Sequence, residues 1–130
     1  MIQYSTKSRN ARLDLTFSHE NCNLFRIFTG PPPETCDHLS TGEMLLEVAV
    51  YGEFFHPAVD GVKVGAGSLA GIAVSSGKTG YFRGYDKNGE CSMQGGAGHP
   101  AYAPVIRFEK NDLVAGEIAI IKRLQIIISP

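Results

Sequence analysis

From Asn23 onward the apolar residues recur at every second position in short runs, and each run stops at Gly, Pro, Asn or Asp. Successive side chains of a β-strand point to opposite faces, so this spacing gives half-buried strands rather than one apolar stripe on a helix. Leu24–Phe28, Met44–Tyr51, Val62–Val64, Leu69–Val74, Tyr81–Tyr85, Cys91–Gln94, Val105–Glu109 and Ile118–Ser129 all fit the pattern. About eight short antiparallel strands closing on one core predict an all-β fold, a jelly-roll-like sandwich in a single domain spanning 1–130. A chain of 130 residues buries roughly two-thirds of its unfolded surface, enough to fold without metal or disulfides. Neither a linker nor an internal repeat interrupts it. In the N-terminal arm, about residues 1–18, Ser5 or Thr6 is placed to cap a short helix through Lys7–Arg12. Leu13-Asp14-Leu15-Thr16-Phe17 just beyond it alternates like a strand.

Charge and cysteine content narrow the function. Twelve Lys plus Arg against thirteen Asp plus Glu leave a net charge of −1, with no basic run to track a phosphate backbone, so nucleic acid is not an expected partner. No apolar run approaches the roughly 20 residues of a membrane span. Met1–Phe17 lacks the basic start and apolar middle of a signal peptide, so the chain reads as soluble and not secreted. Cys22, Cys36 and Cys91 are odd in number and irregular in spacing, as small buried thiols in a reducing cytoplasm would be. Joining His19-x-x-Cys22 to Cys36-x-His38 would make a zinc set, but the second gap is too tight and a strand separates the pairs. No cofactor or metal is expected.

Three stretches tempt a chemical reading. Asp86, Asn88 and Glu90 alternate around Gly89 as in a calcium loop, yet the glycine is fourth instead of sixth and Ala97 stands where the bidentate glutamate belongs. Asn88-Gly89 predicts instead a two-residue hairpin turn with positive φ at both central residues. Ser76-Gly77-Lys78-Thr79 ends like a phosphate-binding loop, but five residues follow Gly71 where the motif allows four, and a strand begins where a helix must. Gly65 to Gly71 misses the dinucleotide fingerprint by one position. His19, His38, His56 and His99 fall in turns or termini without a nucleophile signature, and Glu34, Asp37, Glu43, Glu53 and Asp60 are dispersed. The chain is not expected to be an enzyme.

The last strand bears on partners. Period two places Ile118, Ile120, Leu124, Ile126 and Ile128 on one row, facing the core, with Lys122 at a sheet end where its ammonium reaches water. Ile121, Arg123, Gln125 and Ile127 then face outward. Two outward isoleucines suggest a contact surface, and Ile121 and Ile127, with Tyr4 and Arg9, are its candidate residues.

Several stretches together resemble a family. Tyr4-Ser5-Thr6 with Arg9–Asp14, Arg26–Gly30 with Pro32 and Cys36, Thr41-Gly42 before Leu45-Leu46, Gly80–Arg83 with Tyr85-Asp86, and Val114-Ala115-Gly116 before the last strand resemble small structural proteins of tailed bacteriophages. Leu15-Thr16-Phe17-Ser18 departs from the pattern, replacing a more alanine-rich helical stretch. The resemblance implies a capsid cement, or decoration, protein: a non-enzymatic jelly roll, a dimer or trimer, on the outer surface of the virion. It would bind the major capsid protein and tie neighbouring capsomers together. The alternative in the same family is a tail or baseplate component, a jelly roll binding host glycans, for which His99 and Tyr102 are the candidate platform.

Overall fold

The computed structural model describes residues 2–51, 54–98 and 106–127. It is an all-β antiparallel sandwich with one short helix. Its elements are α1 (Thr6–Thr16), β1 (Leu24–Phe28), β2 (Met44–Ala49), β3 (Val62–Val64), β4 (Leu69–Ile72), β5 (Gly77–Lys78), β6 (Tyr81–Tyr85), β7 (Cys91–Gly96), β8 (Ile106–Phe108), β9 (Asp112–Leu113) and β10 (Ile118–Ile127). All eight strands that the alternation predicts are present. Among the described residues the additional β5 and β9 pair only with each other. These pairings establish the sandwich; they do not by themselves trace a jelly-roll path.

The first sheet has the order β2-β1-β6-β7. Phe25, Ile27, Leu46, Val48 and Phe82 point inward from it into the core. The second sheet is built on β10. Ile121 pairs with Leu69 of β4 and with Phe108 of β8, so those two strands lie on opposite edges. Gln125–Ile127 pair with β3, and Gly65 donates its N–H to the Leu124 carbonyl at 3.1 Å. Thus β3 and β4 run end to end along one edge, interrupted at Ala66–Ser68. Ala119, Ile121, Leu124, Ile106, Phe108 and Leu69 close the core from this side.

The helix runs further than its cap alone suggests. Ser5 Oγ accepts the Ser8 N–H at 3.1 Å as N-cap. Leu13 and Phe17, four apart, are both buried where a helix stacks them on one face, while Leu15 is 67% exposed. The strand-like alternation of Leu13, Leu15 and Phe17 is therefore overridden by docking of the helix onto the sandwich. Asp14 Oδ1 accepts from Lys63 Nζ at 2.7 Å and from the Ala58 N–H at 2.8 Å, and Asn10 Oδ1 accepts from the Gly61 N–H at 2.8 Å.

The outer face of the first sheet is covered over β6, while the Arg26–Glu47 pair on its β1–β2 side stays half-exposed. Tyr81, Arg83 and Phe28 are buried there beneath the connection from Thr29 to Glu43, which crosses the sheet as a strap. The Tyr81 hydroxyl donates to the Thr41 carbonyl at 2.6 Å and accepts the Thr41 N–H at 2.9 Å. Arg83 Nη2 donates to the Thr35 carbonyl at 3.2 Å, and Gln94 Nε2 to the Pro33 carbonyl at 2.8 Å. Phe28 stacks on Tyr81 with ring centroids 5.0 Å apart. A buried guanidinium and a buried phenol are acceptable here because backbone carbonyls of the strap satisfy them.

Candidate interaction surface

The second sheet has no such cover among the described residues. Cross-strand partners share a face. Ile118 opposite Ile72 and Ile120 opposite Ala70 therefore point away from the core, since Ala119, opposite Gly71, and Ile121, opposite Leu69, point into it. Ile118 is 71% and Ile72 62% exposed. At the other end of β10, Gln125 faces Val64 and Ile127 faces Val62. Ile127 is 64% exposed, as is Val59, whose N–H and carbonyl both bond Val62. The result is an outward face with an aliphatic patch at each end.

Its middle is basic. Between Ile121 and Arg123 the register with β8 shifts, leaving Lys122 as an extra residue in the strand. Beyond it Arg123 lies directly opposite Arg107. With Lys122 and Lys110 these line a groove of about 1050 Å³ between the β8–β10 edge and the Gly65–Ser68 turn, in which Glu109 is the only acid among the described lining residues. Like charges placed directly opposite are unfavourable. The ion pairs formed among described residues lie elsewhere: Arg26–Glu47, Lys63–Asp14 and Lys87–Glu20.

The bulge corrects the row predicted for the last strand. Leu124 and Ile126 do turn inward, but Ile118 faces solvent and Ile121, 1% exposed, is core. The extra residue reverses the alternation at Lys122, which sits in mid-strand and not at a sheet end. Ile121 is thus removed from the contact candidates, whereas Ile127 remains at the surface. Tyr4 and Arg9 lie on the helical arm. Tyr4 is half-buried, with the Arg12 guanidinium 3.9 Å above its ring and Arg12 Nη2 donating to its hydroxyl at 3.1 Å. Arg9 Nη2 donates to Thr6 Oγ1 at 2.9 Å. Both residues organise the arm itself.

The turn between β6 and β7 is a hairpin of a different length from the predicted one. Asp86 and Glu90 close it through Asp86 N–H to Glu90 C=O at 2.9 Å, and Gly89 N–H bonds the Asp86 carbonyl at 3.0 Å. Only Gly89 has positive φ, +81°. The loop is thus three residues, Lys87-Asn88-Gly89, with the glycine in the left-handed position of a bulge. Asp86 Oδ1 accepts the N–H groups of Asn88 and Glu90 at 2.9 and 3.0 Å.

The other motifs resolve into architecture. Gly77-Lys78 is strand β5, paired with Leu113 and Asp112, and Thr79 is buried. Cys22 is in the core, where burial pushes its thiol up to about 12. Cys36 lies in the strap on the far side of the first sheet, so the two halves of the zinc set face apart. Among the described residues no three His, Cys, Asp or Glu side chains gather as metal ligands would, and no helix is long and apolar enough to cross a membrane. His99 and Tyr102, the glycan platform, lie outside the described residues, as do Glu53, Val105 and Ile128-Ser129. Comparison with models of protein families, with curated proteins and with solved structures finds no match for this chain.

Proposed function

We propose that the chain is a non-enzymatic capsid cement protein that docks by the outer face of its second sheet onto the shell of a bacteriophage virion. The observation that supports this reading is the composite face itself, aliphatic at both ends and basic in the middle. Outward isoleucines on a sheet are costly in water and favourable in a contact. Opposed arginines are costly alone and favourable against an acidic strip. The complementary partner presents acidic groups flanked by apolar ones, and we take it to be the major capsid protein. A two-fold pairing of this face with its own copy would set Arg107 and Arg123 against themselves. A dimer or trimer therefore forms through another surface, and its role is to multiply weak contacts.

A clamp that binds only the assembled lattice stabilises that lattice by mass action. Chemistry is not needed for this, only shape, charge and buried area. The test is a particle image combined with occupancy. Density for the chain is expected on the head, and Ile127→Asp is expected to lower its occupancy at least tenfold, about 1.4 kcal/mol, while the isolated variant stays folded by circular dichroism. Density on the tail, or full occupancy by the folded variant, would overturn the reading.

A further inference from the structure

The strap brings two thiols together. Pro33 is held above β7 by Gln94, and Thr35 above β6 by Arg83, whose Nε also donates to Gln94 Oε1 at 3.1 Å. The next residue, Cys36, then lies over the same outer face as Cys91, which starts β7 opposite Tyr85, and its thiol is near enough to raise that of Cys91, while Cys91 Sγ itself donates to the Met93 carbonyl at 3.4 Å. Both are half-buried and free. Cys91 is held in a strand, opposite Tyr85, and Cys36 in a segment without regular structure. A disulfide needs its sulfurs at about 2.05 Å with a χ3 near 90°. A strap outside any sheet can make that last approach without breaking a ladder.

We propose that Cys36 and Cys91 are a disulfide-forming pair, oxidised by a low-molecular-weight disulfide, and that the bond latches the strap onto the outer face of the first sheet. In the first step the Cys36 thiolate attacks one sulfur of the small disulfide, forming a mixed disulfide and releasing one small thiolate. In the second, the Cys91 thiolate attacks the Cys36 sulfur, closing the protein disulfide and releasing the other. Two protein thiols are oxidised, one small disulfide is reduced to two thiols, and the two protons pass to the leaving thiolates. Reducing conditions leave the strap held by non-covalent contacts; oxidising conditions fix it covalently.

The steps differ in speed for a physical reason. Burial, reinforced by the contact with Cys36, pushes the Cys91 thiol up to about 11, so little of it is thiolate near neutrality. The closing step at Cys36 is therefore about tenfold faster per pH unit between about pH 7 and 9. Cys22 takes no part, because it is buried in the core on the opposite side of the sheet. The latch operates whatever the second sheet docks on.

The purified full chain is incubated with oxidised glutathione and followed by intact mass and non-reducing peptide mapping. One intramolecular bond between Cys36 and Cys91 is expected, with Cys22 still a thiol and a Tm raised by about 5 °C or more, reversed by dithiothreitol. Cys91→Ser is expected to stop at glutathione on Cys36, which keeps the test open even if the closed form is hard to isolate. Three unmodified thiols after prolonged exposure at pH 9, a bond involving Cys22, links between chains, or a persistent mixed disulfide in the unmutated chain would each overturn the proposal.

Discussion

The carboxylate of Asp86 does for the β6–β7 turn what a calcium ion does for a loop of acidic residues: it gathers backbone groups around one point. Its Oδ1 accepts two N–H bonds, so the alternating acids of this stretch mark a side-chain-capped turn. Asp86→Ala is expected to cost about 0.5–1.5 kcal/mol through the lost hydrogen bonds, whose N–H groups turn to water. Asn88→Ala, at a position without positive φ, should stay within about 0.5 kcal/mol, and neither midpoint in denaturant titrations should respond to calcium. Equal losses from the two substitutions would restore the two-residue turn. That turn type does occur, at Asp60-Gly61, where φ is +52° and +76° and Val59 and Val62 exchange both hydrogen bonds. Asx-Gly dipeptides signal a hairpin at both places. Which of them takes the primed form depends on how the flanking strands pair, and a dipeptide does not carry that information.

At the scale of elements, the strands were legible because period two is imposed by the backbone itself, and the helix because Ser5 is a cap that local geometry can use. The phase of β10 was not. A bulge at Lys122 changes which face every later residue occupies, and its cause is pairing with β8, a long-range fact. Docking of α1 is also long-range, and Asp14 carries part of it beside the buried Leu13 and Phe17. The hydrogen bond from Lys63, helped by the Ala58 N–H, holds the Asp14 carboxyl below its usual 3.8. An acid whose pKa is lower in the folded than in the unfolded chain stabilises the fold above the unfolded value and loses that contribution as pH falls through the folded one. Lys63 is buried while Asp14 is half-exposed, so solvent weakens the pair on one side only. Asp14→Asn is expected to destabilise by about 1–2 kcal/mol at neutral pH. The difference from the unmutated chain should shrink below pH 4. A difference that is constant from pH 7 to about pH 2 would show that packing, not charge, holds the helix.

For the whole molecule, the two outer faces of the sandwich differ: a strap covers the β6 side of the first, and the second is open among the described residues, the face that the proposed function gives to the partner. Thr29-Gly30, Thr41-Gly42 and Gly80–Arg83 meet at the strap that covers part of the first sheet, and their role there is architectural. The open face was half legible: Ile127 was found through alternation, while Ile72, Ile118 and the Arg107–Arg123 pair became visible only with the bulge and the β8 pairing. Its two chemistries respond differently to salt. Exposed charges more than a Debye length apart, about 8 Å at physiological ionic strength, are largely screened, whereas apolar burial is not weakened by simple salts. If the basic centre steers and holds an acidic strip, raising the ionic strength from about 0.05 M to 0.5 M should weaken binding to shells severalfold. Arg123→Glu should bind at least tenfold more weakly at low salt and lose most of that salt sensitivity. Ile118→Asp should weaken binding at every ionic strength, since the aliphatic patch is removed and a charge is buried in its place. Association measured by sedimentation of shells across the salt series separates the two contributions, and salt-independent binding by the unmutated chain would leave the arginines without a role in docking.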